Sequence, residues 1–320
     1  MVPVRVVFMG SPEFAVPCLR ALVTHHEVAL VVSQPDKPAG RGGQLAAPAV
    51  KITATDLKLP VFQPRSARNG ELRDALISTS AELAIVVAYG KILPKDVLAA
   101  LPRGCVNVHG SLLPKYRGAA PVQWAVIDGE TETGVAIMQL DEGMDTGPVY
   151  LEKRVAIDPE ETSGELLTRL APIGAAALLE GIAQIAAGAE PTPQDHAFAT
   201  HAAMLAKSDG AIDFTLAAHA VAARIRGVDP WPGAQALHRG QIVKLFRAVM
   251  APDGARTEGA PGTVTAIDAQ GIHVRCADGT VIIRDIQAPG RKRLAAQQFA
   301  AGRGIAVGDE LSKPALETPQ

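Results

Sequence analysis

The chain has 320 residues, 48% hydrophobic and 20% charged, with a net charge of −2. That length accommodates two domains, and the composition fits a folded globular chain rather than a disordered or collagen-like one. A strongly basic nucleic-acid domain is excluded, because residues 1–208 carry 18 basic against 22 acidic side chains and residues 209–320 carry 13 against 11.

Cys18, Cys105 and Cys276 are odd in number, far apart and match no metal spacing. Free thiols, and hence a cytoplasmic location, are expected. No apolar run approaches the roughly 20 residues needed to cross a bilayer. Met1 leads within a few residues into a strand-like run, so no leader peptide is expected.

In chain order, residues 4–8 (VRVVF) predict a buried strand, followed by Gly10, Ser11 and Pro12 and a helical pattern through Leu22. Pro12 suits the first turn of that helix. Residues 27–33 predict a second strand, giving a β-α-β start. The turn lacks the second and third glycines of G-x-G-x-x-G, which counts against a nicotinamide dinucleotide. The run Gly40, Arg41, Gly42, Gly43 follows a proline-broken loop rather than a strand and carries no phosphate-binding fingerprint.

Further units alternate: a helix at 71–78, strands at 83–88 and 105–108, a helix at 122–127, and strands at 135–140 and 149–156. Such alternation implies an α/β fold with a doubly wound, mostly parallel sheet. In sheets of that kind the ligand site forms at the carboxyl ends of strands where the strand order reverses. Thr162 and Glu165 make a capping box that opens a helix to about residue 187, with Pro172 expected to kink or restrict it.

Residues 188–200, with Pro191 and Pro193, read as a connector. The expected organisation is a catalytic domain at 1–188, a linker at 189–207 and a C-terminal domain at 208–320. A helix at 216–225 and short strands at 243–248, 262–267, 272–276 and 281–286 predict a small, OB-like β-barrel there.

The chemistry concentrates in 104–118, GCVNVHGSLLPKYRG. Asn107 and His109 stand two apart on a strand, so their side chains share a face. An amide N–H can hold a developing oxyanion, and an imidazole can move or polarise a proton near neutral pH. Spacing alone does not decide, because an N-x-H at a strand end is more often a hydrogen-bonded terminus.

NVHGSLLPKYRG resembles the core signature of the 10-formyltetrahydrofolate-dependent formyltransferases, an N-x-H followed by S-L-L-P-x-x-x-G. The second block of that signature, an aspartate before Thr-Gly, stands here as MQLDEGMDTG at 138–147. The resemblance implies a Rossmann-like catalytic fold, 10-formyltetrahydrofolate as co-substrate, an amine as acceptor, no metal, and a catalytic trio of Asn107, His109 and Asp145. In that mechanism Asn107 and a protonated His109 stabilise the oxyanion, and Asp145 orients His109 and helps relay the amine proton. It further implies a folate pocket at Val87, Ala88, Tyr89, Gly90, Ser111, Leu112, Leu113, Pro114, Leu140 and Asp141.

Which amine is a separate question. QPDKPAGRG at 34–42, LPVFQP at 59–64, DPWP at 229–232 and PGRKR at 289–293 resemble the branch of the family that acts on methionyl initiator tRNA. That likeness implies that the 208–320 domain binds tRNA, with tRNA contacts at Lys37, Arg41, Arg291, Lys292 and Arg293, and a methionine contact at Phe14, with a monomer as the expected state. Where that loop usually continues into lysines, this chain has Gly43 and Gln44. The rival readings are a sugar-nucleotide N-formyltransferase, discriminated by the 37–41 loop, and a catalytically inactive RNA-binding relative, disfavoured by the intact trio.

Overall fold

The computed structural model describes residues 3–39, 44–252 and 258–315. The chain divides into two compact units, one made of residues up to 121, 133–155 and 167–202, the other of 122–132, 156–166 and everything from 203 on.

The first unit begins with β1 (Arg5–Gly10), α1 (Val16–His25) and β2 (Glu27–Val32). Pro12 does not open α1: a one-turn 3-10 helix, Glu13–Ala15, comes first, and Pro17 sits in the opening turn of α1 instead. A ribbon of β3 (Lys37–Ala39) and β4 (Gln44–Ala46) follows, then α2 (Ala49–Asp56) and β5 (Val61–Phe62). After these come α3 (Glu71–Ser78), β6 (Leu83–Val87), α4 (Lys95–Leu98) and β7 (Cys105–His109). Next along the chain are β8 (Arg117–Gly118), α5 (Pro121–Ile127, in the second unit from Val122 on), β9 (Glu132–Gln139), β10 (Val149–Ala156), α6 (Ser163–Ala186, in the first unit from Leu167 on) and β11 (His201–Ala202).

Seven strands form one sheet in the order β10-β9-β7-β6-β1-β2-β5. β1, β2, β5, β6 and β7 pair parallel, and β9 joins β7 antiparallel. Central strands of such a sheet are covered on both faces and so read as unbroken apolar runs. All five residues of LAIVV in β6 are buried. On one face Val7, Met9, Val86 and Cys105 pack with Leu72 and Leu76 of α3 and Val97 of α4. Each fully buried leucine or isoleucine stabilises such a core by about 1.5–3 kcal/mol. Cys18 and Cys105 are buried, and burial pushes both thiols up to about 12.

α6 runs through Pro172 as a single 24-residue helix. It corrects one sequence expectation: its length and a mean hydropathy of 1.4 over 18 residues would suit a membrane span. In this fold its apolar residues are spent on the sheet. Gly174 lies against Val108 and Val135, Gly181 lies against Ile137, and Leu170, Leu178 and Ile182 are buried.

The second unit adds α7 (Ala218–Gly227), β12 (Ala234–His238), β13 (Gln241–Met250), β14 (Val264–Ile267), β15 (Ile272–Arg275), β16 (Thr280–Gln287), β17 (Leu294–Ala295), α8 (Ala296–Ala301) and β18 (Leu311–Ser312). The sheet order is β14-β15-β16-β13-β12-β18, antiparallel wherever register is defined. Its two edges meet: Thr263 bridges Glu310, and the Val264 and Leu311 amides donate to the carbonyls of Asp309 and Gly262 at 2.8 Å. The sheet therefore closes on itself, removing the exposed edges an open sheet would carry. The strands at 243–248, 272–276 and 281–286 fall where expected, while β12 and β18 carried no clear sequence signal.

Candidate active site

β7 sits where the sheet switches from parallel to antiparallel pairing, with Asn107 opposite Met138 and His109 opposite Ala136 of β9. The pleat then sends both side chains to one face. Asp145 reaches them from the turn after β9. Its Oδ1 lies 3.5 Å from Asn107 Nδ2 and its Oδ2 lies 3.7 Å from His109 Nδ1. The three residues thus converge, with the His109 side chain 5% and the Asp145 side chain 14% exposed.

Two backbone groups finish the arrangement. His109 Nε2 stands 2.9 Å from the Tyr116 carbonyl. A carbonyl only accepts, so Nε2 carries a proton and donates it there, leaving Nδ1 toward the carboxylate. The Gly118 amide donates to Asp145 Oδ2 at 2.9 Å. Asp145 itself is left-handed, at φ 52°, a conformation that non-glycine residues seldom adopt. Its turn is tightly packed, since a Cβ on Gly147 would collide with the Gln139 carbonyl. Asn107 spends little of its amide here, the 3.5 Å contact being long for a hydrogen bond.

The residues expected to line a folate pocket divide between an exposed rim and the core. Ala88 and Gly90 are open to solvent and left-handed, at φ 48° and 78°, so their backbone forms an accessible rim. Val87 and Tyr89 face the core. The Tyr89 ring is 1% exposed, its hydroxyl lacks a hydrogen-bond partner among the described residues, and burial pushes its pKa up to about 12. Tyr89 therefore offers backbone rather than ring.

Ser111 is fully buried and spends its hydroxyl on the Lys115 carbonyl at 2.7 Å. Leu112 and Pro114 are half-buried, and Leu113 packs with Ala136 and Met138. Leu140 and Asp141 help line a hollow of about 470 Å³ with Lys95, Leu98 and Gly143. The Asp141 carboxylate organises its own loop, accepting from the Gly143 amide at 3.0 Å and the Thr146 hydroxyl at 2.6 Å.

Gln34, Gln194 and Arg117 were not singled out by sequence. Gln34 Nε2 donates to the Tyr89 and Gly90 carbonyls at 3.0 and 3.3 Å, fixing the rim. Gln63 Nε2 in turn donates to the Gln34 carbonyl and to Asp36, whose carboxyl is held below its ordinary range by Gln63 and then by Lys51. Gln194 binds the turn that carries Asp145. Gln34, Gln63 and Arg117 fall inside stretches quoted above without a role of their own, and Gln194 falls in none.

Phe14 is half-buried in the 3-10 turn just beyond β1. That turn needs Gly10, since a Cβ there would stand 2.8 Å from the Val87 carbonyl. Lys37 is exposed on β3, and Arg41 lies outside the described residues. In the second unit Arg291 and Lys292 are exposed. Arg293 is not a free charge: it forks onto Asp285 at 2.7 and 3.0 Å and lies 4.2 Å over the Phe246 ring.

A cavity of about 910 Å³ in that unit, between Glu160, Arg226, Arg284 and Met250, contains none of the trio. Among the described residues no group of three or more His, Cys, Asp or Glu could hold a metal ion.

Residues 4–182 match the family described as Formyl transferase, and 204–304 match Formyl transferase, C-terminal domain. A methionyl-tRNA formyltransferase of Desulfotalea psychrophila is 45% identical over 303 residues, covering 94% of this chain and 93% of that protein. One of Sorangium cellulosum is 44% identical over 310 residues, covering 97% and 100%.

Among solved structures, HypX from Aquifex aeolicus in complex with tetrahydrofolic acid aligns with a TM-score of 0.63 at 17% identity, covering 99% of this chain. The chain spans 50% of that structure's length. An N-formyltransferase from Helicobacter canadensis with folinic acid and dTDP-3-aminofucose aligns with a TM-score of 0.66 at 16% identity, covering 89% and 99%. These two likenesses concern the fold. With both family descriptions matched in order over most of its length, the chain belongs to the formyl transferase family.

Proposed function

We propose that this chain transfers the formyl group of 10-formyltetrahydrofolate to the amino group of methionyl initiator tRNA. The observation that carries the reading is the convergence of Asn107, His109 and Asp145 in a chain that is 45% identical, over nearly its full length, to a protein named methionyl-tRNA formyltransferase. The residues present fit a formyl-folate: an accessible backbone rim at Ala88 and Gly90, a hollow lined by Leu140 and Asp141, and an amide at Asn107 with donor capacity to spare.

In the reaction the amine nitrogen bonds to the formyl carbon, the bond from that carbon to N10 breaks, and one proton passes from the amine to N10. Asn107 donates its amide N–H to the formyl oxygen as charge develops there. His109 presents Nδ1 from a ring held by Tyr116. Asp145, held by Gly118, takes the proton shed by the amine and returns it toward the departing nitrogen. This chemistry belongs to translation initiation, and the expected setting is a cytoplasmic monomer with Lys37, Arg41, Arg291 and Lys292 toward the RNA.

The test offers labelled formyl-folate to charged initiator tRNA and, in parallel, to amino-sugar nucleotides. Label on the methionyl amine is the expected result. Label only on the sugar amine would replace the acceptor, and label on neither would leave an RNA-binding relative without activity.

A further inference from the structure

We infer that Gln194 and Arg117 are positioning residues that set the catalytic carboxylate; this rests on the reaction assigned above. Gln194 Nε2 donates to the Asp145 carbonyl at 2.9 Å and the Gly147 carbonyl at 2.6 Å. Its Oε1 accepts from Arg117 Nε at 3.0 Å and Arg117 Nη2 at 2.6 Å. Carbonyls only accept and a guanidinium only donates, so turning the amide over would spoil all four contacts. The orientation of Gln194 is fully determined.

These contacts fall where the chain needs them. Asp145 stands left-handed in the middle of its turn, a conformation that persists only when its surroundings over-determine it. One side-chain amide spans the carbonyls on both sides of Thr146. The other end of Asp145 is held through the residue next to Arg117, because the Gly118 amide donates to Oδ2 at 2.9 Å.

The dipeptide β8 therefore grips the aspartate twice, through the Gly118 backbone and through Arg117 by way of Gln194. β8 is itself pinned by parallel pairing with β11. Arg117 is 9% exposed and also lies 2.9 Å from His196 Nδ1, whose lone pair accepts from Nη2. Nη2 thus ties Gln194 and His196 to the same guanidinium.

A residue acting only through Asp145 should change turnover rather than substrate binding. Gln194→Glu is the informative variant, since it keeps the length and the pairing with Arg117 but turns a carboxylate oxygen toward two carbonyls. With full-length protein, Q194E should lower kcat about 10- to 100-fold, the scale of an ångström-sized misplacement of a reacting group. KM for formyl-folate and for charged tRNA should stay within about threefold, because uniform binding is untouched.

In an Asp145→Asn background the same change should cost less than about twofold more, because residues acting as one unit are not additive. Exchange of the Gly118 amide should accelerate in Q194E, which reads the carboxylate's placement without any turnover. Should Q194E not fold, Gln194→Met, an apolar isostere, carries the same expectations.

Wild-type kcat with either variant would overturn the assignment, as would a full additional loss in the Asp145→Asn background. If the wild-type protein itself transferred no formyl group to charged tRNA, the functional reading would fall. Unchanged Gly118 exchange would overturn the positioning role by itself.

Discussion

The carbonyl of Tyr116 accepts a hydrogen bond from His109 Nε2 across 2.9 Å, so Nδ1 is the ring nitrogen left facing Asp145. The orienting hydrogen bond of the imidazole thus comes from the backbone, where the motif alone suggested the aspartate.

The two nitrogens can be separated by substitution. His109→Gln keeps a donor near the Nε2 position and should fold, yet lose turnover as His109→Ala does. Both, and Asp145→Asn, should fall by about 10²–10⁴, the scale of an acid–base group. Single-turnover rates check this; wild-type rates in His109→Gln would remove Nδ1 from the mechanism.

Asn107 makes a separate prediction. Asn107→Ala should cost about 3 kcal/mol of transition-state stabilisation if its amide faces the oxyanion. The loss should appear in kcat for both the folate and the acceptor. A change confined to folate affinity would make Asn107 a binding residue.

Lys37 is exposed on β3, beside the glycine-rich run. Its charge adds to the burial that lowers the Lys91 pKa. Lys37→Ala should flatten the slope of log K against log salt for tRNA by about 0.7–0.9, the value for one lost phosphate contact. Folate affinity should not move. A full salt slope combined with weaker folate binding would make the ribbon a cover for the folate rim.

At the start of α6, Thr162 and Glu165 form the expected capping box: the Glu165 carboxylate accepts from the Thr162 amide and hydroxyl at 2.8 Å, and the Glu165 amide donates to the Thr162 hydroxyl at 3.2 Å. Thr162→Ala should lower stability by about 1 kcal/mol. Those hydrogen bonds hold the Glu165 carboxyl below its ordinary 4.5. A depressed carboxyl stabilises the fold above its unfolded pKa and ceases to do so as pH falls through the folded one. The stability gap between wild type and Thr162→Ala should therefore narrow below pH 4.5 in denaturant titrations at several pH values. A gap that stayed constant into acid would assign the cap to the hydroxyl alone.

What the sequence disclosed follows from where each signal is stored. Asn107, His109 and Asp145 sit in two short blocks whose spacing survives in one dimension, and the alternation of buried runs with helical stretches gives the parallel sheet. Gln194 had no comparable trace. It follows Pro191 and Pro193 in a segment without periodicity, and its partners Arg117 and Asp145 are 77 and 49 residues away. Tyr89 misled for a related reason: its place beside the rim is a matter of sequence, but beyond the end of β6, past the left-handed Ala88, its ring is buried in the core. In α6 the glycines that fit it to the sheet raise no hydrophobic alarm, while the alanines and leucines around them resemble a lipid-facing stretch.

The segment from 189 to 202 reads as a connector, yet Thr192 bridges Val149, Gln194 holds the Asp145 turn, the Thr200 hydroxyl accepts from the Tyr116 amide, and β11 pairs with β8. A chimaera joined at residue 188 would thus exchange the partners of the Asp145 turn along with the C-terminal domain, and a loss of turnover in it would not report on that domain alone. A splice just past Ala202 would instead keep Thr192, Gln194, Thr200 and β11 with the partners they hold, all from one parent.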